Sequence, residues 1–476
     1  MGHKVRSIPE TIEAVEPWCW RSLSLNNLTG SEVFAALFST EPIASLLESP
    51  GITDVEQPQL SRYSICAGSP RTIQGKPRLW TPAIGEIFPF LRSLIEQSGV
   101  NNSQVAHLPF TGGWLGWLGY DLAWEIEQLP ELNQDTLPFP VAYWYEPECF
   151  AVLDHLEATL WLAATDSEQL DHLEVNLSAP TFSQSKLQFA PTATQITFQT
   201  NREQYQNAVK QAKQHIQAGD IFQTNLSLRF QTNTSADSWL IYRQLQQINP
   251  SPFACYWRSP WGDVISCSPE RLVQLKGDRA QTRPIAGTRR RGKTTASDRL
   301  LATELLANTK ERAEHIMLVD LERNDLGRVC QWGSVEVDEL LVIERYSHVM
   351  HLVSNVQGRL KPDLNVVDLI QGVFPGGTIT GCPKIRCMEI IEQLEPVRRS
   401  LFYGSCGYLD QRGNVDLNIL IRTLLYVKPA DADLAQVYGQ VGAGIVADSD
   451  PEREWDESLN KAEAQIAALQ FPTSTI

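Results

Sequence analysis

Strand-like and helix-like runs follow one another irregularly along this chain, and that irregularity constrains the fold more than any other feature. SRYSICAG (61–68), FTGGWLGWLGYD (110–121), FPVAYWY (139–145) and FAVLDHLEATLWLAA (150–164) are short apolar runs separated by turn residues, the pattern of antiparallel sheet. Residues 204–217 place Tyr205, Val209 and Ile216 on one helical face. Gly219-Asp220 ends that helix, and IFQTNLSLRF (221–230) alternates like a strand. A longer helix is predicted over about 297–321. Strands are predicted at HVMHLVSNVQGRL (348–360), CGYLD (406–410), LNILIRTLLYV (417–427) and VYGQVGAGIVA (437–447), and a last helix over about 452–469. No regular strand–helix–strand rhythm links these runs. That argues against a Rossmann sheet or a barrel and predicts an α+β fold of complex α/β layers.

Between Thr165 and about Thr200 the composition turns polar, so the chain divides into residues 1–165, a linker at 166–200 and residues 201–470. The chain carries 40 Lys+Arg against 56 Asp+Glu, a net charge of −16. Such a balance argues against general nucleic-acid binding, which rests on phosphate neutralisation. It leaves room for a small anionic substrate in one local basic pocket. No window approaches the length of apolar residues that spans a bilayer, and MGHKVRSIPE has no apolar leader. A cytoplasmic protein without membrane association is expected. The nine cysteines are scattered with no CxxC pair, which predicts reduced thiols rather than a disulfide frame or a zinc site.

GTRRRGKT (287–294) matches the phosphate-cradling G-x-x-x-x-G-K-[ST] pattern. That loop works where it follows a buried parallel strand and opens a helix. The residues before it, KGDRAQTRPIA, are mostly polar, and three adjacent arginines crowd a loop that wraps phosphate with backbone. The competing reading is a hairpin whose arginines face solvent or a substrate mouth.

Glu311 and Glu314 in KERAEH share a helical face, and in REWDESLNK Glu454, Glu457 and Lys461 lie at i, i+3 and i+7. Spacing alone fits an ordinary solvated face. That is the reading spacing favours, though it also admits magnesium, which takes one or two carboxylates plus water and substrate oxygens. The rest of the C-terminal half favours a ligand. GGT (376–378) and GAG (442–444) let backbone approach an anion closely. Arg422 stands alone in the apolar run LNILIRTLL, where an unpaired charge is costly. An anionic ligand would account for Arg422, Lys461, Gly442 and Gly444 together. His351, within VMHLVSN, is read either as a satisfied core histidine or as a catalytic one.

RPIAGTRRRG (283–292), ERAEHIMLVDLERNDLGRVC (311–330), HLVSNVQGRL (351–360), FPGGTITGCPKIRCMEIIEQLEP (374–396), GSCGYL (404–409), IRTL (421–424), GAGIVADSDPE (442–452) and ESLNKA (457–462) resemble, in order, the chorismate-utilising enzymes. These include anthranilate synthase component I, aminodeoxychorismate synthase component I and the isochorismate and salicylate synthases. The resemblance implies two large, mostly antiparallel sheets flanked by helices, with chorismate and Mg2+ in a cleft. It implies Glu314 and Glu457 as magnesium ligands, Glu454 as their neighbour and Glu311 as the acid assisting loss of the C4 hydroxyl. It implies Tyr403, Arg422, Gly442, Gly444 and Lys461 as carboxylate holders, and His351 near the departing hydroxyl and pyruvate. LLES (46–49), SRYS (61–64) and GGWLGWLGYD (112–121) resemble the family's regulatory half. There Leu47, Glu48 and Ser49, with Pro250 and Phe253, correspond to a tryptophan pocket. Feedback-inhibited members usually have tyrosine in place of Phe253.

Two positions sort the family's reactions. Isochorismate and salicylate synthases carry a lysine base where this chain has Gln223, so amination is implied. Aminodeoxychorismate synthases often carry a lysine nucleophile where this chain has Ala286. Its absence implies direct attack of ammonia at C2, giving anthranilate, and Thr378 points the same way. ITG (379–381) and GSCGYL instead look like aminodeoxychorismate synthase, which stays as the alternative. With no Cys-His-Glu glutaminase set in the chain, the resemblance implies ammonia from a separate glutamine amidotransferase subunit.

Overall fold

The computed structural model describes residues 17–49, 61–96, 103–178, 195–346 and 349–470. The elements that frame the site are, in chain order, helix α1 (Gly30–Leu37), strands β1 (Ala44–Glu48), β2 (Gln223–Thr234), β3 (Phe253–Ser259), β4 (Gly262–Ser268) and β5 (Ile285–Arg290), helices α2 (Thr295–Ala307) and α3 (Thr309–Val329), strands β6 (Val349–Arg359), β7 (Ser405–Asp410), β8 (Val415–Asn418), β9 (Thr423–Val427) and β10 (Ala435–Ile445), and helix α4 (Pro451–Leu469).

They belong to two sheets. The first has 12 strands, in the order Cys19–Ser24, Thr159–Ala164, Cys149–Asp154, Tyr63–Ala67, β1, β3, β4, β9, β10, β2 and Thr197–Phe198, with Gly381–Cys382 beside β2. The second has 10: β5, β6, Arg279–Thr282, Arg271–Lys276, β8, β7, Gly113–Leu118, Ala142–Tyr145 and Leu79–Trp80, with Glu336–Arg345 also on β6. Pairings among the described strands are antiparallel, in agreement with the expected two antiparallel sheets. The sheets meet through aromatic rings. Trp117 of the second packs edge-on against Trp257 of the first at 6.0 Å, and both are fully buried. Such a pair adds about 0.5–1.5 kcal/mol beyond its burial.

Residues 1–165 and 201–470 share both sheets: β1 pairs with β3, and Gly113–Leu118 pairs with β7. The polar stretch read as a linker begins as a helix, Ser167–Ser178, and ends in strand Thr197–Phe198. Residues 179–194 between them lie outside the described residues.

Two predicted runs are split. The helix expected over 297–321 is α2 followed by α3, because Asn308 ends the first and its side chain caps the second by accepting the Glu311 N–H. LNILIRTLLYV is not one strand: β8 ends at Asn418 in the second sheet and β9 begins at Thr423 in the first. No helix among the described residues is long and apolar enough to cross a membrane. All nine cysteines are free.

Candidate active site

Two of the chain's passages between the sheets run side by side. After β4 the chain leaves the first sheet at Pro269-Glu270 and joins the second at Arg271. After β8 it returns through residues 419–422. Hydrogen bonds tie the two crossings. Ile419 N–H donates to the Glu270 carbonyl (3.0 Å), and the Ser268 hydroxyl donates to the Ile419 carbonyl. Arg422 turns there with φ +52, and nearby Tyr403 has φ +65. That left-handed geometry costs a non-glycine residue about 1–2 kcal/mol.

These turns gather charge. The half-buried Arg422 guanidinium has no hydrogen-bond or ion-pair partner among the described residues. Burial pulls its pKa down, opposed by the neighbouring Tyr403, Glu270 and Glu457. The buried Glu270 carboxyl is pushed up to about 7 by desolvation, against the pull of the Thr378 hydroxyl, the Ile285 N–H and Arg422. Such a carboxyl keeps its proton near neutrality. His351 of β6 sits opposite Thr288 of β5, with 3.0 Å between Nδ1 and the threonine hydroxyl. Burial, then the charge of Arg422, lowers the imidazole to about 4, so it is neutral at pH 7. Tyr403 presents a buried hydroxyl without a hydrogen-bond partner among the described residues and carries Arg399 over its ring at 4.6 Å.

Strand β2 supplies a second wall. Its Asn225 pairs with Gly444, and Ser227 with Gly442. The glycines make room for amide side chains. A Cβ on Gly444 would lie 2.8 Å from Gln223 Nε2, and one on Gly442 would lie 3.0 Å from Asn225 Oδ1 and 2.4 Å from the Leu226 carbonyl. Gly442 gives its carbonyl to Lys461 Nζ at 3.0 Å. Behind this wall Arg399 pairs with Glu395 (2.7 Å) and donates to the carbonyls of Ile379 and Asn225 (2.8 Å each).

The acids frame the opposite edge. In α4, Asp450 caps the N-terminus, with Pro451 in the first turn. That helix displays Glu454 (buried) and Glu457 (exposed), and Lys461 pairs with Glu457 at 2.8 Å. Glu314 of α3 pairs with Lys310 at 3.7 Å. Burial raises its pKa, Lys310 opposes, and the like charges of Glu457 and Glu454 raise it further. Burial also acts on Glu457, but Lys461, Lys310 and Arg422 hold its carboxyl below the usual range. The three acids are therefore electrostatic neighbours. Among the described residues no three carboxylate, histidine or cysteine groups are gathered tightly enough to hold a metal as they stand. The predicted trio is thus a loose set balanced by two lysines. A cation between Glu314 and Glu457 would relieve their repulsion, and two carboxylates suffice for magnesium, so the donor set fits that ion.

Glu311 lies beside β5. Its carboxylate is 3.3 Å from where a Cβ on Gly287 would sit, and one oxygen accepts from Arg289 (2.8 Å). Ala286 pairs with Leu352, next to the His351–Thr288 pair. GTRRRGKT is not the predicted hairpin, because helix α2 follows β5 directly. Nor does it cradle phosphate. The Gly292 N–H and Arg291 Nε both donate to Asp298 (2.8 Å each), an anion supplied by α2 itself. The β1–β3 pairing sets Leu47 opposite Cys255 and Glu48 opposite Ala254, the residue after Phe253, and the Ser49 hydroxyl donates to the Pro252 carbonyl (3.3 Å), two residues beyond Pro250. Both Glu48 oxygens are used within the fold, by the Ser31 N–H and hydroxyl and the Tyr242 hydroxyl (2.7 Å each).

A family model described as chorismate binding enzyme matches residues 54–467. The chain belongs to that family. Its relatives include a Synechocystis protein named anthranilate synthase component I-like, 62% identical over 461 residues, covering 96% of this chain and 93% of the relative. The same strain has a further relative named anthranilate synthase component 1, 41% identical over 393 residues, 76% of this chain and 77% of the other. Aminodeoxychorismate synthase component 1 of Bacillus subtilis is 44% identical over 437 residues, 88% of this chain and 91% of its own. The solved anthranilate synthase component I of Streptococcus pneumoniae superposes with a TM-score of 0.71 at 29% identity, covering 98% of this chain and 95% of that one.

Sequence reasoning missed Glu270, Asn225, Thr288 and Arg289. Glu270 stands in CSPER between two apolar strands, where an acid reads as turn punctuation. Asn225 reads as one polar position of an alternating strand. Neither carries a local signal of burial.

Proposed function

We propose that this chorismate-binding enzyme is an anthranilate synthase component I, a lyase that aminates chorismate at C2 with ammonia and eliminates pyruvate. Ala286 carries the reading. Next to the His351–Thr288 pair the second sheet offers a methyl group, so no protein amine competes for C2 and ammonia itself attacks. Gln223 likewise offers no base to activate water. Arg422 binds a substrate carboxylate as a charge-assisted pair. Glu270, protonated near neutral pH, donates to the C4 hydroxyl as it leaves. One oxygen of Glu311, the acid implied by resemblance, is already engaged by Arg289. Neutral His351 orients the departing groups by hydrogen bonding. Magnesium held by Glu314 and Glu457 would neutralise a substrate carboxylate, with Glu454 beside them. Tyr403 and Lys461 complete the polar lining. The partner is a separate glutamine amidotransferase subunit, and the chain alone uses ammonium salt but not glutamine.

A second reading, C4 amination to aminodeoxychorismate, rests on ITG (379–381), on GSCGYL and on the relatives. The 62% identical Synechocystis protein coexists with a separately named anthranilate synthase component 1 that is only 41% identical to this chain. The test is product identification from chorismate, magnesium and ammonium salt, with and without added aminodeoxychorismate lyase. Fluorescent anthranilate without lyase supports the first reading. 4-Aminobenzoate only when lyase is added, with no anthranilate, supports the second.

A further inference from the structure

Gln223 and Asn225 lie two apart on β2 and so share one face of the strand. Each has a side-chain oxygen, Gln223 Oε1 and Asn225 Oδ1, that is shut off from solvent and has no hydrogen-bond partner among the described residues. Gln223 as a whole is only 7% exposed. Buried amide oxygens are rarely left unmatched, because an unmade hydrogen bond costs the group its full desolvation. Asn225 Oδ1 stands over the glycine strip of β10, 3.0 Å from where a Cβ on Gly442 would sit, and the Gln223 amide lies over Gly444 with its Nε2 nearest.

Asn225 is rigidly held. Its N–H donates to the Thr380 carbonyl and its own carbonyl accepts from Arg399, each at 2.8 Å, while its Nδ2 makes a long 3.5 Å contact to the Thr378 carbonyl. That contact leaves the oxygen free. Two neutral acceptors together repel a carboxylate and bind a donor.

We propose that Asn225 Oδ1 and Gln223 Oε1, carried on the same face of β2, receive the ammonia used in the reaction. This rests on the amination reading above. The two oxygens accept N–H bonds, which leaves the nitrogen lone pair free to form the C–N bond. The C–N bond forms at C2, the ring double bonds shift to carry the electron pair toward C4, and the C4–O bond breaks. The leaving oxygen takes the Glu270 proton and departs as water, and the nitrogen then loses one proton to solvent, from which Glu270 is reprotonated. Acceptors suffice because ammonia, unlike water, needs no base to become a nucleophile. Asn225 thus binds the nucleophile rather than shaping the fold.

The test measures KM for ammonia and for chorismate separately, with thermal melting as a check on folding, in Asn225→Ala, Asn225→Asp and Gln223→Ala. Loss of the acceptor in Asn225→Ala should raise KM for ammonia about tenfold, the order of one hydrogen bond, with KM for chorismate changed less than about twofold. Asn225→Asp keeps the acceptors and should retain ammonia affinity. If the Nδ2 contact to Thr378 were the whole role, Asp and Ala would be equally impaired, and that result overturns the proposal. A rise in KM shared equally by chorismate, or an unchanged KM for ammonia, also overturns it. Should Asn225→Ala fail to fold, Gln223→Ala must show the same ammonia-specific rise or the proposal falls. A wild-type enzyme that forms no aminated product would sink the amination reading itself, a separate outcome.

Discussion

Two arginines of this site make opposite predictions, and the contrast tests the assignment of Arg422. Arg399 is 1% exposed and pairs with Glu395. Arg422 is half-buried and unpaired among the described residues. Replacing Arg399 by Gln leaves Glu395 buried without its counter-ion, which costs about 3–5 kcal/mol. Replacing Arg422 by Gln removes a charge that burial already disfavours, so the thermal midpoint should hold or rise. What Arg422→Gln loses is substrate. A hydrogen bond to a charged group contributes about 1.5–3 kcal/mol, or about 10- to 150-fold in affinity at 1.4 kcal/mol per decade. KM for chorismate should rise by that factor at saturating ammonia and magnesium, with kcat changed less. The measurement pairs steady-state kinetics with melting curves. An Arg422→Gln enzyme with wild-type KM, or one destabilised as severely as Arg399→Gln, would show that the guanidinium serves the fold and not a ligand.

Glu314→Gln and Glu457→Gln should each abolish magnesium-dependent turnover with little loss of stability, since Glu457 is exposed and Glu314 half-buried. Full activity of both across a magnesium titration would refute the metal assignment. Glu270→Gln should lower kcat about 10²- to 10⁴-fold. In the wild type, kcat should fall as pH rises through about 7. Because the folded state holds that proton above the ordinary carboxyl range of 4.5, stability should also decline from about 4.5 through about 7. A pH profile unchanged in Glu270→Gln would remove it from proton transfer. Gly444→Ala pushes only the end of Gln223, so the protein should fold with impaired activity. Gly442→Ala drives a methyl to 2.4 Å from a backbone carbonyl and should lower the melting temperature, and equal melting curves would contradict that ranking. Tryptophan should inhibit weakly or bind only structurally, since Phe253 lacks one hydroxyl contact, about fivefold in affinity. Submicromolar inhibition in a steady-state assay would contradict it.

The legible parts of this site are those with a repeating neighbour. Glu311 and Glu314, and Glu454, Glu457 and Lys461, could be paired from sequence because helical spacing reports what lies one turn away. The glycines of β10 stood out because a strand interior gives them no packing reason to be there. Arg422 was visible only as a misfit, a charge in the apolar run LNILIRTLL. The run itself was misread as one strand, since it contains no glycine or proline where residues 419–422 leave the second sheet for the first. Glu270 sits on the matching crossing four residues after Ser266 of β4 and has even less to mark it. Strand order is illegible for the same reason. Nothing local tells β1 that its neighbour is β3, about 200 residues downstream in the chain. The residues that can hold an anion and deliver a proton are therefore concentrated where periodicity fails. A crossing between two packed sheets is where a side chain can be buried and yet lack a ladder neighbour. That lets Arg422 stay unpaired and Glu270 stay protonated, which a regular strand or helix position would not allow.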